Sequence, residues 1–495
     1  MRISQRHSAR LPLLAAFLLA AISLAVVRTS PAGAGTLEPG IVDGRGMRLP
    51  GNHTFAFNPS ASGGPIIWSL DRETISDTGV HERTNGVASS TGLTATFTLG
   101  VTSGFETIFY LTAADAGTQD VDTVQVLPAD IRTWFTYRSA GNPDVRVYAV
   151  IPSSLSPATR VVLAMHGSSR TASGYADTWR SWASAHDYIV LCPYYDLVNW
   201  PTDGMYQMGN VFAGDDCAGT RNPEERWTFT IDLGIHKQVR DGFALADPRF
   251  DMWGFSGGGQ HVHRFMLFKP NAPVRLAISA GSGWYTVPDD FIDCPYGPDD
   301  PQLEFAHQDV LGWTNRDMVI MVGTADTLRD EELRVSPRAD AQGRNRYERA
   351  GYMMSKAQGF NPLSRWRRLD VLGSPHESKP MAVAAQSVLL EPLLEVVDPP
   401  GTPAPRITPV LRIHPNPIAG STELSGEGWA GGEVSVEIFD LAGRKLAAGT
   451  VPASDGKWRF GWNSLVTQGR IAPGIYLVRA RDRGQQAEHK VLVLK

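Results

Sequence analysis

The chain has 495 residues, of which 42% are hydrophobic and 20% are charged, and its formal net charge is −5 at pH 7. This length predicts about three domains. The acidic balance argues against nucleic acid and anionic membrane surfaces as partners, because both would repel the chain.

Residues 1–34 have the layout of a secretory signal peptide. Arginines near the start precede an apolar run from Leu11 to Val27, and the small residues Pro31-Ala32-Gly33-Ala34 follow. The apolar run is short for a membrane span, so we expect cleavage after Ala34 rather than an uncleaved anchor. Cleavage would remove four arginines and no acidic residue, which takes the net charge from −5 to −9. The sequence therefore predicts a secreted or cell-surface protein.

Residues 35–130 predict a small β-sandwich. Short β-rich runs alternate with turns at a spacing typical of that fold. The runs are Thr54–Phe57, Ile66–Leu70, Thr94–Leu99, Thr107–Leu111 and Asp122–Val126. The segment has no evident catalytic cluster, and we expect a spacer or a binding module.

Two buried-strand patterns come next. Arg160–Met165 and Tyr188–Pro193 are apolar runs of the kind found in strands covered on both faces of a parallel sheet. The first is followed by His166-Gly167-Ser168-Ser169. We expect His166 to brace this loop through a hydrogen bond rather than to act as a catalyst.

A G-x-S-x-G motif, Gly254-Phe255-Ser256-Gly257-Gly258, is the most informative feature of the chain. It favours a strained turn between a strand and a helix, on which the serine hydroxyl is exposed at the edge of a parallel sheet. The context agrees, because the residues before it predict a short buried strand and Gly257 to Phe268 predict a helix. A glycine-rich turn without a catalytic role is the alternative.

An acid and a histidine follow this serine in the order that a nucleophile–acid–histidine triad of this kind requires. The apolar run Met318–Val322 predicts a buried strand, and Asp326 comes just after it. A further strand, Trp366–Leu372, leads to His376 on the next loop. Asp330 is the alternative acid if the first of these strands ends later than expected. His261 and His263 also follow the serine, but they fall on the predicted helix, and we expect packing or surface roles for them.

Together these residues predict nucleophilic catalysis. Ser256 would attack the substrate, His376 would take and return its proton, and Asp326 would hold the imidazole in the required tautomer. The backbone N–H groups of Ser168 and Gly257 would form the oxyanion hole. This chemistry requires no metal and no organic cofactor.

With these motifs in place, residues 131–397 resemble the α/β-hydrolase superfamily, and within it the secreted esterases related to polyhydroxybutyrate depolymerases and feruloyl esterases. Met165-His166-Gly167-Ser168, the 188–193 strand, the Ser256 elbow and the loop bearing His376 carry the resemblance. It implies an α/β fold, a mostly parallel sheet with helices on both faces; small β-sandwich (Ig-like) domains would flank it at both ends. Those relatives often carry Cys where this chain has Ser168, which leaves the backbone N–H in place but weakens the likeness to the depolymerases.

Loops near the predicted site are rich in aromatic residues. Trp284 and Tyr285 follow a predicted strand, and we expect them beside the nucleophile, in contact with substrate. Trp200, Tyr206 and Trp227 lie in the long insertion before Ser256 and are candidates for a rim. For each of these side chains, packing onto the core is the alternative.

The chain has three cysteines. Cys192 ends a strand pattern and is expected to be a buried thiol. Cys217 and Cys294 lie in loops on either side of the nucleophile in the sequence, and export would permit a disulfide between them. An acidic loop lacks the regular spacing of calcium ligands, and we expect it to be solvated. Its residues are Asp289, Asp290, Asp293, Asp299 and Asp300.

A Pro-rich linker, 398–405, precedes a second predicted β-domain, 406–495. Strand patterns occur at Val434–Phe439, Gly474–Arg479 and Lys490–Lys495. With His414-Pro415-Asn416-Pro417 near its start, the segment resembles the C-terminal sorting domain of type IX secretion and the Ig-like domain of flagellar hook-capping proteins. The resemblance implies passage through the outer membrane, with the secretion machinery as a partner. Another extracellular β-module is the alternative.

The sequence thus predicts an exported serine hydrolase that cleaves carboxylic esters through an acyl-enzyme. A polyester or an aryl-ester polysaccharide is the candidate polymeric substrate. The alternatives are a serine peptidase of the same fold and a non-catalytic polymer-binding or adhesion protein. A peptidase would use the same triad, but no acidic clamp for a peptide amino terminus is identifiable. A binding scaffold has no need for a nucleophile, an acid, a base and an oxyanion loop together.

Overall fold

The computed structural model describes residues 40–42, 46–59, 64–391, 410–414, 418, 422–427, 429, 432–440, 443–454, 457–466, 471–482 and 485–493. The predicted signal peptide and the predicted linker lie outside these ranges. Within the described residues, no helix is both long enough and apolar enough to cross a membrane.

Eight strands form an N-terminal sandwich of two sheets around a shared apolar core. They are β1 (Gly40–Val42), β2 (Gly46–Arg48), β3 (Gly51–Asn58), β4 (Ile67–Ile75), β5 (His81–Thr91), β6 (Thr94–Leu99), β7 (Glu106–Ala114) and β8 (Gln119–Val126). The sheet orders are β1-β3-β6 and β2-β8-β7-β4-β5. Strict alternation in β6 buries Ala95, Phe97 and Leu99 and exposes the threonines between them, as expected for a strand with one face on a core.

The central domain is built on an eight-stranded sheet with the order β16-β15-β14-β13-β11-β12-β10-β9. Its strands are β9 (Arg132–Tyr137), β10 (Val145–Val150), β11 (Arg160–Met165), β12 (Tyr188–Tyr194), β13 (Phe250–Phe255), β14 (Val274–Ala280), β15 (Met318–Gly323) and β16 (Trp366–Val371). β11 to β16 are parallel, whereas β9 and β10 are antiparallel to their neighbours. The carboxyl ends of the parallel strands therefore meet at one edge, which is where ligands bind in open α/β sheets.

Helices cover both faces of this sheet. They are α1 (Ala172–His186), α2 (Thr228–Gly242), α3 (Gly257–Phe268), α4 (His307–Thr314), α5 (Pro337–Asp340), α6 (Arg346–Phe360) and α7 (Ser378–Leu390). Trp179 of α1 and Ala385 of α7 belong to the core on one face, and Ile235 of α2, Phe265 of α3 and Met353 of α6 belong to the core on the other. Because both faces are covered, all six residues of β13 and of β15 are buried. This explains why β15 is apolar throughout and why the one charged residue of β13, Asp251, is paired with Arg275.

The N-terminal sandwich is joined to the central domain by buried polar contacts. The Glu106 carboxylate, 1% exposed, accepts hydrogen bonds from the Thr136 N–H at 3.0 Å and the Thr136 hydroxyl at 2.8 Å. Arg48 donates to the Gly242 carbonyl at the end of α2, at 3.1 Å. Thr136 lies on β9, so this contact is at the opposite edge of the sheet from β16, the strand that leads to His376.

The C-terminal residues form two further antiparallel sheets, with the orders β17-β18-β21 and β20-β19-β22-β23. The elements are β17 (Val410–His414), β18 (Glu423–Glu427), β19 (Gly432–Phe439), β20 (Lys445–Ala453), β21 (Lys457–Gly461), α8 (Trp462–Leu465), β22 (Gly474–Asp482) and β23 (Gln485–Val493). Leu424 and Trp458 from the first sheet share a core with Val436 and Val478 from the second. This arrangement fits a small β-sandwich of the predicted Ig-like kind.

One disulfide crosses the central domain. It joins Cys217, in the insertion between β12 and α2, to Cys294, in the loop after β14, and the two Cα atoms are 6.0 Å apart. These are the two cysteines that the sequence nominates as a pair. Cys192 is a buried free thiol on β12. The bond ties together two long loops at the carboxyl edge of the sheet.

We expect that replacing both bonded cysteines, Cys217→Ser with Cys294→Ser, lowers the free energy of unfolding. The bridged residues are 77 apart in sequence, so the cross-link restricts the unfolded chain strongly and its loss costs up to about 4 kcal/mol. Equilibrium unfolding in urea measures the change, and wild-type protein unfolded with a reductant should match the variant. Equal unfolding curves for the variant and the oxidised wild type would contradict the expectation.

Candidate active site

Ser256 is the single residue of the turn between β13 and α3. Its backbone has φ 55° and ψ −117°, a strained conformation for a residue with a side chain. Two glycines make the turn possible. A Cβ on Gly254 would lie 2.2 Å from the Gly258 carbonyl oxygen, and a Cβ on Gly258 would lie 2.1 Å from the Met165 carbonyl oxygen. The strand, the helix and β11 therefore approach more closely than any side chain at these two positions would permit.

His376 and Asp326 complete a hydrogen-bonded series that begins at this serine. His376 Nε2 lies 3.1 Å from Ser256 Oγ, and His376 Nδ1 lies 2.7 Å from Asp326 Oδ2. Asp326 follows the end of β15 and is 1% exposed, and the His376 ring packs on Phe255 with 4.6 Å between ring centroids. A carboxylate at Nδ1 keeps the proton on that nitrogen, which leaves the Nε2 lone pair to face the serine hydroxyl.

Asp330, the alternative acid, has a different partner. It forms a two-pronged ion pair with Arg346 at 2.6 and 2.9 Å, and this guanidinium holds the pKa of Asp330 below its usual range. Arg346 is 1% exposed, and its Nη1 also lies 3.6 Å from Asp326 Oδ1. Arg346 thus stands between the two carboxylates, where it stabilises the charge of Asp326 while Asp330 balances its own.

The loop after β11 lies against the nucleophile. A Cβ on Gly167 would lie 3.6 Å from Ser256 Cβ, and a Cβ on Gly257 would lie 3.0 Å from Ser168 Oγ. Gly257 is the first residue of α3, so its N–H has no acceptor within the helix. The structure therefore brings Ser168 and Gly257, the two residues nominated for the oxyanion hole, together beside Ser256.

Comparison with known proteins bears on the fold of this domain. No protein-family model and no curated protein matches the chain. Among solved structures, poly(aspartic acid) hydrolase-1 from Sphingomonas sp. KT-1 is 29% identical with a TM-score of 0.50, over 52% of this chain and 98% of that one. LpqC, a poly(3-hydroxybutyrate) depolymerase from Bordetella parapertussis, is 25% identical with a TM-score of 0.49, over 52% of this chain and 90% of that one. The central domain has the α/β-hydrolase fold.

A closed ring of buried hydrogen bonds supports the oxyanion loop of this α/β-hydrolase. The Tyr206 hydroxyl donates to the His166 carbonyl at 2.7 Å, and the Tyr206 carbonyl accepts from His261 Nδ1 at 2.8 Å. His261 Nε2 lies 2.6 Å from Asp232 Oδ2, and Asp232 Oδ1 accepts from the Tyr195 hydroxyl at 2.7 Å. The Tyr195 N–H donates to His166 Nε2 at 3.2 Å and closes the ring. All five residues are fully buried.

His166 and His263 are buried residues with hydrogen-bonding and packing roles, as the sequence predicts. Burial lowers the pKa of His166 to about 3, so its ring is neutral, and His166 Nδ1 faces the Gly167 carbonyl at 2.9 Å. His263 on α3 faces the Gly259 carbonyl with Nδ1 and accepts from the Thr286 N–H with Nε2. Neither ring is hydrogen-bonded to Ser256.

The expectation that Trp284 and Tyr285 contact substrate is wrong. Trp284 is 1% exposed and lies between two guanidinium groups, with Arg264 at 4.0 Å and Arg334 at 4.7 Å from its ring centroid. Tyr285 is 0% exposed, and its backbone N–H and C=O both bond to the Gln342 side chain. Arg264 on α3 and Arg334 in the loop after β15 hold the Trp284 ring inside, and Gln342 holds the backbone of Tyr285. The local sequence gives no sign of these partners.

The proposed aromatic rim is also absent from the surface. Trp200, Tyr206 and Trp227 are exposed by 1%, 0% and 2% respectively. The Trp227 indole N–H donates to the Asn222 carbonyl, and the Trp200 carbonyl accepts from Arg170. These residues pack the insertion onto the domain, which is the alternative that the sequence left open.

The cleft above Ser256 is open and has a volume of about 410 Å³, and its surface is polar and apolar in equal parts. Three charged side chains, Glu332, Glu377 and Lys379, stand at its rim, and no ion-pair partner for them lies among the residues that the structure describes. The lining comprises Gly167, Ser168, Ser169, Thr171, Tyr175, Phe255, Ser256, Glu332, His376, Glu377, Ser378 and Lys379. Two of the three rim charges are negative, so the mouth of the cleft has an acidic balance.

The acidic loop is held by cationic side chains. Asp289 pairs with Lys356 at 2.8 Å, and Asp290 pairs with His307 at 2.7 Å, while Asp293 pairs with Arg338. Across the described part of the chain, no group of three or more His, Cys, Asp or Glu side chains is arranged to hold a metal ion.

We expect Asp232→Asn to destabilise the domain, because His261 and the Tyr195 hydroxyl would both lose a buried carboxylate. Breaking a buried pair of this kind costs about 3 kcal/mol or more of unfolding free energy. Asp241→Asn is the matched control, since Asp241 is on the same helix but pairs with Lys237 at the surface, where such a pair contributes about 1 kcal/mol or less. Urea unfolding measures the free energy of unfolding of both variants. Equal losses of free energy in Asp232→Asn and Asp241→Asn would contradict the expectation.

Proposed function

We propose that the chain is an exported serine hydrolase that cleaves carboxylic esters. The observation that carries this proposal is the series Ser256–His376–Asp326, with 3.1 and 2.7 Å between successive partners. Ser256 and His376 line a cleft that is also lined by Ser168. A hydroxyl, an oriented imidazole, a buried carboxylate and an adjacent oxyanion loop are the groups that acyl transfer needs.

In the first half of the reaction, Ser256 Oγ bonds to the ester carbonyl carbon while His376 Nε2 takes the hydroxyl proton. The carbonyl oxygen becomes an oxyanion and receives the N–H groups of Ser168 and Gly257. Collapse of this intermediate breaks the bond to the leaving alkoxide, which takes the proton from His376. The acid of the ester is then held on Ser256 as an acyl-enzyme.

In the second half, water replaces the alcohol. His376 takes a proton from the water as its oxygen bonds to the acyl carbon, and a second oxyanion forms in the same place. Collapse returns the proton to Ser256 Oγ and releases the carboxylic acid. Asp326 stays ionised throughout and stabilises the imidazolium, with Arg346 beside it at 3.6 Å.

We expect the cleft to favour uncharged esters. Its surface is polar and apolar in equal parts, so it offers Phe255 and Tyr175 to an acyl group and hydroxyl and charged groups to the ester. Its open shape suits an ester carried on a polymer, such as a polyester or an aryl-ester polysaccharide. Glu332 and Glu377 at the rim would repel a polyanion.

A second candidate function is amide cleavage with the same residues. The observation that favours it is the 29% identity to a protein named poly(aspartic acid) hydrolase-1, since poly(aspartic acid) is a polyamide. The acidic rim of the cleft weighs against this particular substrate, which carries a carboxylate on every repeat. Incubation with poly(aspartic acid), followed by size-exclusion chromatography, separates the two candidates.

The proposed site of action is outside the cell. Residues 1–34 would direct export, and the C-terminal β-domain would serve the secretion machinery as a sorting domain. The Cys217–Cys294 bond supports this location, because structural disulfides persist in oxidising compartments. Amino-terminal sequencing of the exported protein should begin at Gly35; a sequence that begins at Met1 would contradict cleavage.

We expect Ser256→Ala to lower kcat on p-nitrophenyl butyrate by a factor of at least about 10⁴, because the nucleophile is lost while the fold is kept. A fluorophosphonate probe should label the wild type at Ser256 and leave the variant unlabelled. Ser387→Ala, on the outer side of α7, is the matched control. Turnover by Ser256→Ala near the wild-type rate would contradict the proposal, and a wild type with neither turnover nor labelling would point to a binding scaffold.

We expect the double change Glu332→Gln with Glu377→Gln to raise kcat/KM for an anionic ester relative to a neutral one. By Coulomb's law, a carboxylate in water repels an anion at a separation of about 8 Å by roughly 0.5 kcal/mol, so the loss of two such carboxylates corresponds to an increase of about fivefold. Comparing kcat/KM for p-nitrophenyl succinate and p-nitrophenyl butyrate tests this. The change in the ratio should be smaller in about 0.5 M salt, because ions at that concentration screen exposed charges strongly. Glu433→Gln, in the C-terminal sheets, controls for net charge. An unchanged ratio of kcat/KM between the two esters would show that the acidic rim has no part in substrate selection.

A further inference from the structure

We propose that the side-chain hydroxyl of Ser168 is a third donor to the oxyanion, beside the two backbone N–H groups. The proposal rests on the serine-hydrolase function proposed above. It assigns a catalytic role to a side chain of which the sequence motif nominates only the backbone.

The Ser168 hydroxyl lies in the corner of the cleft beside the amino end of α3. Its Oγ is beside Gly257, since a Cβ on that glycine would lie 3.0 Å away. Its own loop touches the nucleophile, since a Cβ on Gly167 would lie 3.6 Å from Ser256 Cβ. The Ser168 side chain is exposed, and it lines the same cleft as Ser256 and His376.

Gln207 sets the direction of this hydroxyl. Gln207 Nε2 donates to Asp203 Oδ1 at 2.6 Å and to Ser168 Oγ at 3.3 Å. A carboxylate oxygen only accepts, so the amide presents its NH₂ group to Asp203, and the second hydrogen of that group is left for Ser168. Ser168 Oγ therefore uses a lone pair on Gln207, and its own hydrogen points elsewhere.

No protein acceptor takes that hydrogen within the described residues, because the contact with Gln207 is the one hydrogen bond of Ser168 Oγ among them. The direction that remains open is the cleft. A hydroxyl whose oxygen accepts from Gln207 and whose hydrogen is directed into the cleft can donate to a group that forms there. The acceptor that the proposed reaction creates in this corner is the oxyanion.

The group that orients the hydroxyl is itself held firmly. Gln207 is 2% exposed, and its backbone carbonyl accepts from Arg264 Nη1 at 3.3 Å. Arg264 is 1% exposed and lies 4.0 Å from the centroid of the Trp284 ring. The donor is thus oriented before substrate arrives, and such donors stabilise developing charge with little reorganisation. The buried Trp284, which does not touch substrate as expected, contacts Arg264 and so helps to hold Gln207 in place.

The Ser168 hydroxyl keeps its proton in this role. As Ser256 Oγ bonds to the acyl carbon, the π electron pair moves onto the carbonyl oxygen. This oxygen then accepts three hydrogen bonds, from the N–H groups of Ser168 and Gly257 and from the Ser168 hydroxyl. When the intermediate collapses, the pair returns, the bond to the leaving alkoxide breaks, and the proton for the alkoxide comes from His376. The hydroxyl stabilises the oxyanion in both halves of the reaction.

Ser168→Ala in the full-length chain tests the proposal. We expect kcat on p-nitrophenyl butyrate to fall on the order of 100-fold with KM within about twofold, because the lost donor acts on the oxyanion and not on the ground state. The affinity for butylboronic acid, which forms a tetrahedral adduct with the nucleophile, should fall by a similar factor. The substitution is at an exposed position, so the fold should be kept.

Two further variants separate the hydroxyl from a general disturbance of the loop. Ser168→Thr keeps a hydroxyl and should retain kcat within about tenfold of the wild type. Gln207→Met removes the amide at similar volume, and its loss should be smaller than that of Ser168→Ala. The double variant, Ser168→Ala with Gln207→Met, should have a kcat within about twofold of that of Ser168→Ala, because Gln207 acts through the Ser168 hydroxyl.

The outcomes for this inference and for the proposed function are distinct. If Ser256→Ala is inactive while Ser168→Ala keeps kcat within about twofold, or changes KM alone, the third donor is overturned and the serine-hydrolase function stands. Additive losses in the double variant would also overturn it. If Ser256→Ala keeps its turnover, the proposed function itself fails.

Discussion

The close approach of β11, β13 and α3 is the constraint on which the rest of the site depends. A Cβ on Gly258 would lie 2.1 Å from the Met165 carbonyl oxygen, so these elements meet only where a glycine stands. This packing holds Ser256 in a strained backbone conformation with positive φ and directs the amino end of α3 toward the loop after β11. Nucleophile and oxyanion loop are therefore positioned by a single contact, and an added methyl group at Gly258 would force them apart.

Buried polar contacts then hold the loops that the sheet edge brings together. Arg346 lies between Asp326 and Asp330 and balances two carboxylates, one of which faces the imidazole of His376. On the other side of Ser256, the ring that runs through Asp232 and His166 ties the oxyanion loop to α2 and α3. Removing one member of either group leaves a buried charge or a buried donor unpaired, which makes such contacts sensitive to substitution.

The distribution of apolar and polar surface shapes the expected substrate. The large aromatic side chains of the insertion and of the loop after β14 are buried, where they support Arg264 and the oxyanion loop. The cleft is lined by hydroxyl, glycine and charged residues together with Tyr175, Phe255 and His376, and Glu332 and Glu377 are at its mouth. We expect these two carboxylates to set an uncharged ester apart from a polyanion.

The sequence by itself determined the fold class and the order of Ser256, Asp326 and His376. Asp326 follows an apolar run typical of a strand buried on both faces, and Ser256 lies in a G-x-S-x-G motif. Parallel strands end at one edge of a sheet, so the loops of Ser256, Asp326 and His376 had to meet. Tertiary structure alone decided that Trp284 and Tyr285 point into the core and that Gln207 and Arg346 serve the site. Their partners lie tens of residues away on other elements, and no local periodicity records a contact between a cation and a ring or between an amide and a hydroxyl.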